Sequence, residues 1–206
     1  MKMTLLTLAA LILAAPAVHA SGPVRAAQKK AQAAPAPATL EGADAMSDED
    51  ARAQMNAFLG SIDTPIPAAH WQALGQRVGP WLEEIARGTD LPTRRAKALD
   101  GMAASKWTGA AGVMRELARD EAAPANVRFH AVRGLAHVLP KDKIERELTP
   151  LLEGAKDARV RASAAEQLTK LGLACGAVDR QLAREDEGGK LMFHAAVDSC
   201  AALKKK

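Results

Sequence analysis

Apolar and polar positions along this chain return in one register every 33 residues: Arg94-Arg95 with Ala98 and Met102, Val127-Arg128 with Ala131 and Leu135, Val160-Arg161 with Ala164 and Leu168. Within each copy the second arginine-bearing position, the small residue and the large one fall at i, i+3 and i+7. That spacing puts all three near one face of an α-helix. A step of this size marks stacked supersecondary units, each of which hides its apolar face only against the next.

The same patterning predicts further helices on both sides. Ser47 followed by Asp48, Glu49 and Asp50 reads as an N-cap with an acidic first turn, Ala51, Met55, Phe58 and Leu59 share a face, and Gly60 ends the run. Asp63-Thr64-Pro65-Ile66-Pro67 is a turn, and a second helix over about 68–78 carries Trp71, Leu74 and Val78 inward. After Gly79-Pro80, Trp81, Leu82 and Ile85 form a short helix. Helices then follow over about 93–105, 110–120, 125–138, 142–154, 159–172, 175–186 and 190–203. Two of the repeat copies open at Leu91-Pro92-Thr93 and Ala123-Pro124-Ala125, where the missing proline N–H costs nothing, and the third opens at Asp157 as N-cap. The count is ten helices, or about five antiparallel hairpins joined by short loops.

Composition narrows the class. Alanine occupies 46 of 206 positions, tyrosine none and aromatics 3%, so helices packed through small side chains are expected rather than a sandwich of β-branched and aromatic faces. Residues 1–20 read as a secretory signal: Lys2, an apolar run from Leu5 to Ala15, then Ala15-Pro16-Ala17 or Val18-His19-Ala20 before the cut. A run of eleven residues, Thr7 among them, falls short of the ~20 that span a bilayer. Residues 21–46, rich in Ala, Pro, Gln and Lys, form a tether; 47–203 is the helical domain and 204–206 a lysine tail. Without Lys2 the mature chain holds 27 basic and 24 acidic residues, intermixed, which is no nucleic-acid footprint.

In an exported chain two cysteines are expected to pair. Cys175 opens the penultimate helix and Cys200 closes the last, with the turn placed at Glu187-Gly188-Gly189 midway between them, so a Cys175–Cys200 disulfide follows. Chemistry is otherwise sparse. His70, His130, His137 and His194 are spaced as solvated or core-edge residues, no Gly-x-Ser-x-Gly turn surrounds Ser105, Ser163 or Ser199, and Glu83-Glu84 and Glu185-Asp186-Glu187 read as solvated surface.

The three arginine-bearing copies resemble HEAT repeats, in the short HEAT-like form of phycobilisome-lyase type, over about residues 64–203. A tetratricopeptide opening, Trp71-Gln72-Ala73-Leu74-Gly75, occurs once and does not recur at Thr108-Gly109. The HEAT resemblance implies a right-handed α-solenoid in which Arg95, Arg128 and Arg161 pair with acidic residues of the preceding loop. Asp90 would serve Arg95, Asp157 would serve Arg161, and Asp120 or Glu121 would serve Arg128. It also implies that the second helix of each hairpin lines a groove, which makes Arg133, Glu166 and Lys170 candidate contacts. The expectation is therefore an exported, periplasmic or secreted, monomeric and non-catalytic protein-binding scaffold with no cofactor, metal or nucleic acid. The alternatives are a lyase-type or cofactor-binding enzyme and a purely structural envelope protein.

Overall fold

The computed structural model describes residues 46–62 and 64–204. The expected signal over 1–20, the tether up to residue 45, Asp63 of the turn and the last two lysines of the tail lie outside them. The described chain is all-helical and holds no strand. Its helices are α1 (Asp48–Gly60), α2 (Ala68–Leu74), α3 (Gly79–Arg87), α4 (Pro92–Ala104), α5 (Ala110–Arg119) and α6 (Ala125–Val138). They continue as α7 (Lys141–Gly154), α8 (Ala158–Lys170), α9 (Cys175–Leu182), α10 (Glu187–Met192) and α11 (His194–Leu203). None is long and apolar enough to cross a membrane.

Local chemistry starts these helices where the pattern placed them. Ser47 Oγ accepts the Asp50 N–H at 3.1 Å and three acids sit in the first turn of α1, where the macrodipole favours them. Pro92 stands in the first turn of α4, Pro124 directly precedes α6, and Asp157 Oδ1 accepts the Arg159 N–H at 2.8 Å to open α8. Two expected helices are broken. Gly75, at φ 70°, turns the chain out of α2 into a 3-10 turn over Gln76–Val78. Phe193, fully buried, separates α10 from α11, and the residues assigned to a turn, Glu187 to Gly189, instead form the first turn of α10 on the N-cap Asp186.

Helices adjacent in the chain pack as pairs, α3 on α4, α5 on α6 and α7 on α8. Across pairs, α4, α6, α8 and α11 touch in succession, as do α3, α5, α7 and α9. Leu99, Met102, Met114, Leu135, Leu148, Leu152 and Leu168 are fully buried between the two rows. Close approach depends on two glycines one repeat step apart. A Cβ on Gly101 would lie 2.9 Å from the Trp71 ring, and one on Gly134 would lie 2.5 Å from Met114 Sδ. Alanine is the better helix former by about 1 kcal/mol. Even so, Gly101→Ala is expected to lower stability by about 1–3 kcal/mol, because the rigid, buried indole has to move. A thermal melt followed by circular dichroism checks this; an unchanged or raised midpoint would contradict the packing account.

Candidate functional site

The three repeat arginines all do one job first: they satisfy the carbonyls left open where a first helix ends. Arg95 Nε donates to Ala86 O at 2.8 Å in the last turn of α3, and Arg128 Nε to Ala118 O at 3.2 Å in the last turn of α5. Arg161 donates to Ala155 O and Lys156 O, both at 2.7 Å, beyond α7. A cation there also meets the negative end of the helix dipole.

Arg128 takes Glu121, one of the two acids the resemblance offered it, whereas the carboxylates nearest Arg95 and Arg161 in sequence bond elsewhere. Asp90 lies against Arg94 at 3.4 Å, and Arg95 spends its Nε on the carbonyl. Asp157, turned toward the amides of its own helix as N-cap, pairs with Arg159 at 3.2 Å. Arg128, 2% exposed, is gripped by both oxygens of Glu121, at 2.6 and 2.7 Å, and Glu121 also accepts the Lys156 N–H at 3.4 Å from the next pair. Arg161 is held by both oxygens of Glu185, twenty-four residues further on, at 2.5 and 2.6 Å.

Glu185, expected on the surface, is 7% exposed and also accepts from Gln181 Nε2 at 2.7 Å. Its neighbour Gly189 provides the room, since a Cβ there would sit 2.5 Å from Glu185 Oε2. Glu185 opens a run of three acids closed by Gly188 and Gly189, and nothing in that run marks it out from Asp186 and Glu187. The Arg161 hydrogen bonds hold the Glu185 carboxyl below its ordinary pKa against the opposing effect of burial, and raise Arg161 in turn. Arg128 lowers Glu121 in the same way. At Asp157 burial pushes the carboxyl up, but the bonds from Arg159 outweigh it and leave the group lowered.

The second helices carry the cavities. One cleft of about 530 Å³ lies over α4, bounded by Thr93, Ala96, Lys97 and Asp100 of that helix, by Phe58, Ile66 and Trp71 from the α1–α2 segment, and by Asn126 and His130 of α6. A second, of about 270 Å³, lies between α6 and α8, walled by Arg159, Ala162, Ser163 and Glu166 on α8 with Phe129 and Met192. The four α8 positions are those of α4 displaced by two repeat steps, and Asn126 of α6 lines both clefts. A third hollow, of about 400 Å³, continues from Asp100 past Arg133 and His137.

The candidate contacts fall on this face. Arg133 is exposed, its guanidinium 5.6 Å from the centre of the Phe129 ring, and Glu166 pairs with Lys170 at 2.6 Å, one turn apart. Two groups missed from sequence join them. His130 Nδ1 lies 3.0 Å from both oxygens of Asp100, bridging α4 and α6, and Lys97 donates to Leu59 O and Ser61 O. Asn126 Oδ1 and Ser163 Oγ are buried without a hydrogen-bond partner among the described residues.

At the far end Cys175 and Cys200 form a disulfide, their Cα atoms 5.8 Å apart. Among the described residues no three His, Cys, Asp or Glu side chains gather as a metal site would require. Compared with family models, curated proteins and solved structures, the chain has no significant match in any of the three.

Proposed function

We propose that this is an exported, non-catalytic scaffold: a right-handed α-solenoid of about five HEAT-like hairpins that binds another protein along the face of its second helices. The observation that carries the reading is the recurrence of one set of four wall positions, 93, 96, 97, 100 and 159, 162, 163, 166, around two clefts on that face. Stacked repeats present such a row as an extended inner surface. The succession α4, α6, α8, α11 beside α3, α5, α7, α9 supports the solenoid, and the disulfide supports export to an oxidising compartment.

Charge reversal tests the face. Arg133→Glu with Lys170→Glu, both at exposed positions, should weaken capture of the partner from envelope extract about tenfold. Glu145→Lys on exposed α7 should leave capture unchanged. Equal capture by all three proteins, each shown to be folded by circular dichroism, would remove the groove from the reading.

A further inference from the structure

The hollow that continues from Asp100 past Arg133 and His137 carries a further cation on its lining, Lys106. We infer that this hollow takes a carboxylate of an acidic peptide segment of the partner, held by Lys106, Arg133 and His137 together. This rests on the reading that the second-helix face binds a protein.

The repeat itself shows that the turn at 106 does not call for a lysine. Lys106 follows α4 at φ 57°, in the left-handed region that suits glycine and strains residues with a side chain. Two repeat steps on, Gly172 follows α8 at φ 76°. The two turns close alike, since Lys106 N–H donates to Ala103 O at 3.3 Å and Gly172 N–H to Thr169 O at 2.9 Å. Glycine is the ordinary residue for such a helix end. At 106 a lysine is held there against the backbone preference, and its side chain lines the hollow. Strain of this kind gathers where a side chain has a task.

Charge along the second helices makes the same point. Glu166 and Lys170 of α8 form an ion pair one turn apart at 2.6 Å. The positions one step earlier, on α6, are Arg133 and His137, two basic residues that cannot answer each other. Among the described residues no carboxylate pairs with Lys106, Arg133 or His137, and the Arg133 guanidinium lies over the Phe129 ring instead. Asp100, the acid on the hollow's lining, is engaged by His130 at 3.0 Å. Most of the remaining lining is alanine and glycine, which leaves about 400 Å³ for the atoms of a ligand.

Three donors on one concavity suit an anion, and the arginine fork suits a planar one that it can grip with two parallel bonds. An imidazole keeps one N–H to donate even when neutral. A lipid surface fits less well. Cations set round a hollow, with Asp100 beside them and Glu166 one step along, do not offer the continuous basic plane that an anionic bilayer attracts.

The test titrates the full chain, by fluorescence anisotropy in low salt, with a fluorescein-labelled decapeptide of alanine, glycine and four glutamates. Its counterpart carries glutamine at those four places. The glutamate peptide is expected to bind at least about tenfold more tightly, with a gap that closes as salt rises. Lys106→Gly separates recognition from architecture: it should weaken the glutamate peptide about threefold or more while the thermal midpoint stays level or rises, because glycine relieves the turn. Arg133→Gln should weaken it about tenfold. Lys143→Gln, which removes the same charge from an exposed position on α7, should leave binding unchanged. Equal binding of the two peptides, or an equal loss in Lys143→Gln, would overturn the inference. So would Lys106→Gly melting lower with its binding intact, since the lysine would then serve the helix end alone. If the peptides do not differ but capture of the partner still falls with Arg133→Glu and Lys170→Glu, this inference fails and the scaffold reading stands. Co-sedimentation with phosphatidylserine vesicles that is lost in Lys106→Gly, with the glutamate peptide unbound, would assign the hollow to a lipid headgroup and overturn the peptide as well.

Discussion

Glu185→Ala lowers the free energy of unfolding by about 3–5 kcal/mol, measured by urea titration at neutral pH, because it leaves the Arg161 guanidinium buried with its charge unanswered. The side chains of the pair are 16% and 3% exposed, so solvent does little to replace the lost carboxylate. The effect carries a pH signature. A carboxyl whose folded pKa is depressed stabilises the fold fully above its unfolded value, near 4.3, and loses that contribution as pH falls through the folded value. Glu185 is such a group, held down by Arg161. The gap between wild type and Glu185→Ala should therefore be widest at neutral pH and narrow on acidification below about pH 4. A gap independent of pH would mean that lost packing, not charge, carries the effect.

Removing the disulfide has the other large consequence. A loop of 25 residues closed between Cys175 and Cys200 restricts the unfolded chain by about 3 kcal/mol on the chain-entropy estimate. Cys175→Ser with Cys200→Ser should lose that amount, and the loss should be local first. The helices it joins are short, eight residues in α9 and ten in α11, and exposed Leu191 and Val197 add little burial there. Amide hydrogen exchange should show α9 to α11 losing protection while α4 to α8 keep theirs. Uniform loss across the chain would make the hairpin part of one cooperative unit. Reduction of the wild-type protein should reproduce the double substitution.

How much of this could be read before any coordinates depended on whether a residue's role was set locally or by distant partners. The register of α4, α6 and α8 was legible because each helix repeats an arginine and a buried stripe at fixed offsets and opens at a proline or an N-cap. The disulfide was legible from two cysteines and a chain reversal, although the reversal lies before Glu187, not on it. The break at Phe193 was not. Its backbone stays helical at φ −87° and ψ −1°, and what interrupts the helix is the docking of the ring into the core. Glu185 escaped for a related reason: in a run of three acids nothing local tells which one a guanidinium twenty-four residues upstream will bury. The groove was half visible. The 33-residue step marks Arg133 and Glu166 as equivalent, but Asn126 and Ser163 acquire meaning only once the clefts bring their unpaired atoms together.

The reach of Arg95 and Arg128 back to the helix just before them has a further consequence. Each of those arginines closes its own pair from within, over nine and ten residues of sequence. A duplicated stretch of one period would arrive with its own fastening already encoded, and a deleted one would leave no dangling end. The gene can thus lengthen or shorten in whole modules while the reading frame of the fold is kept, whereas the Arg161 unit, which borrows Glu185 from its successor, has to keep that successor directly behind it.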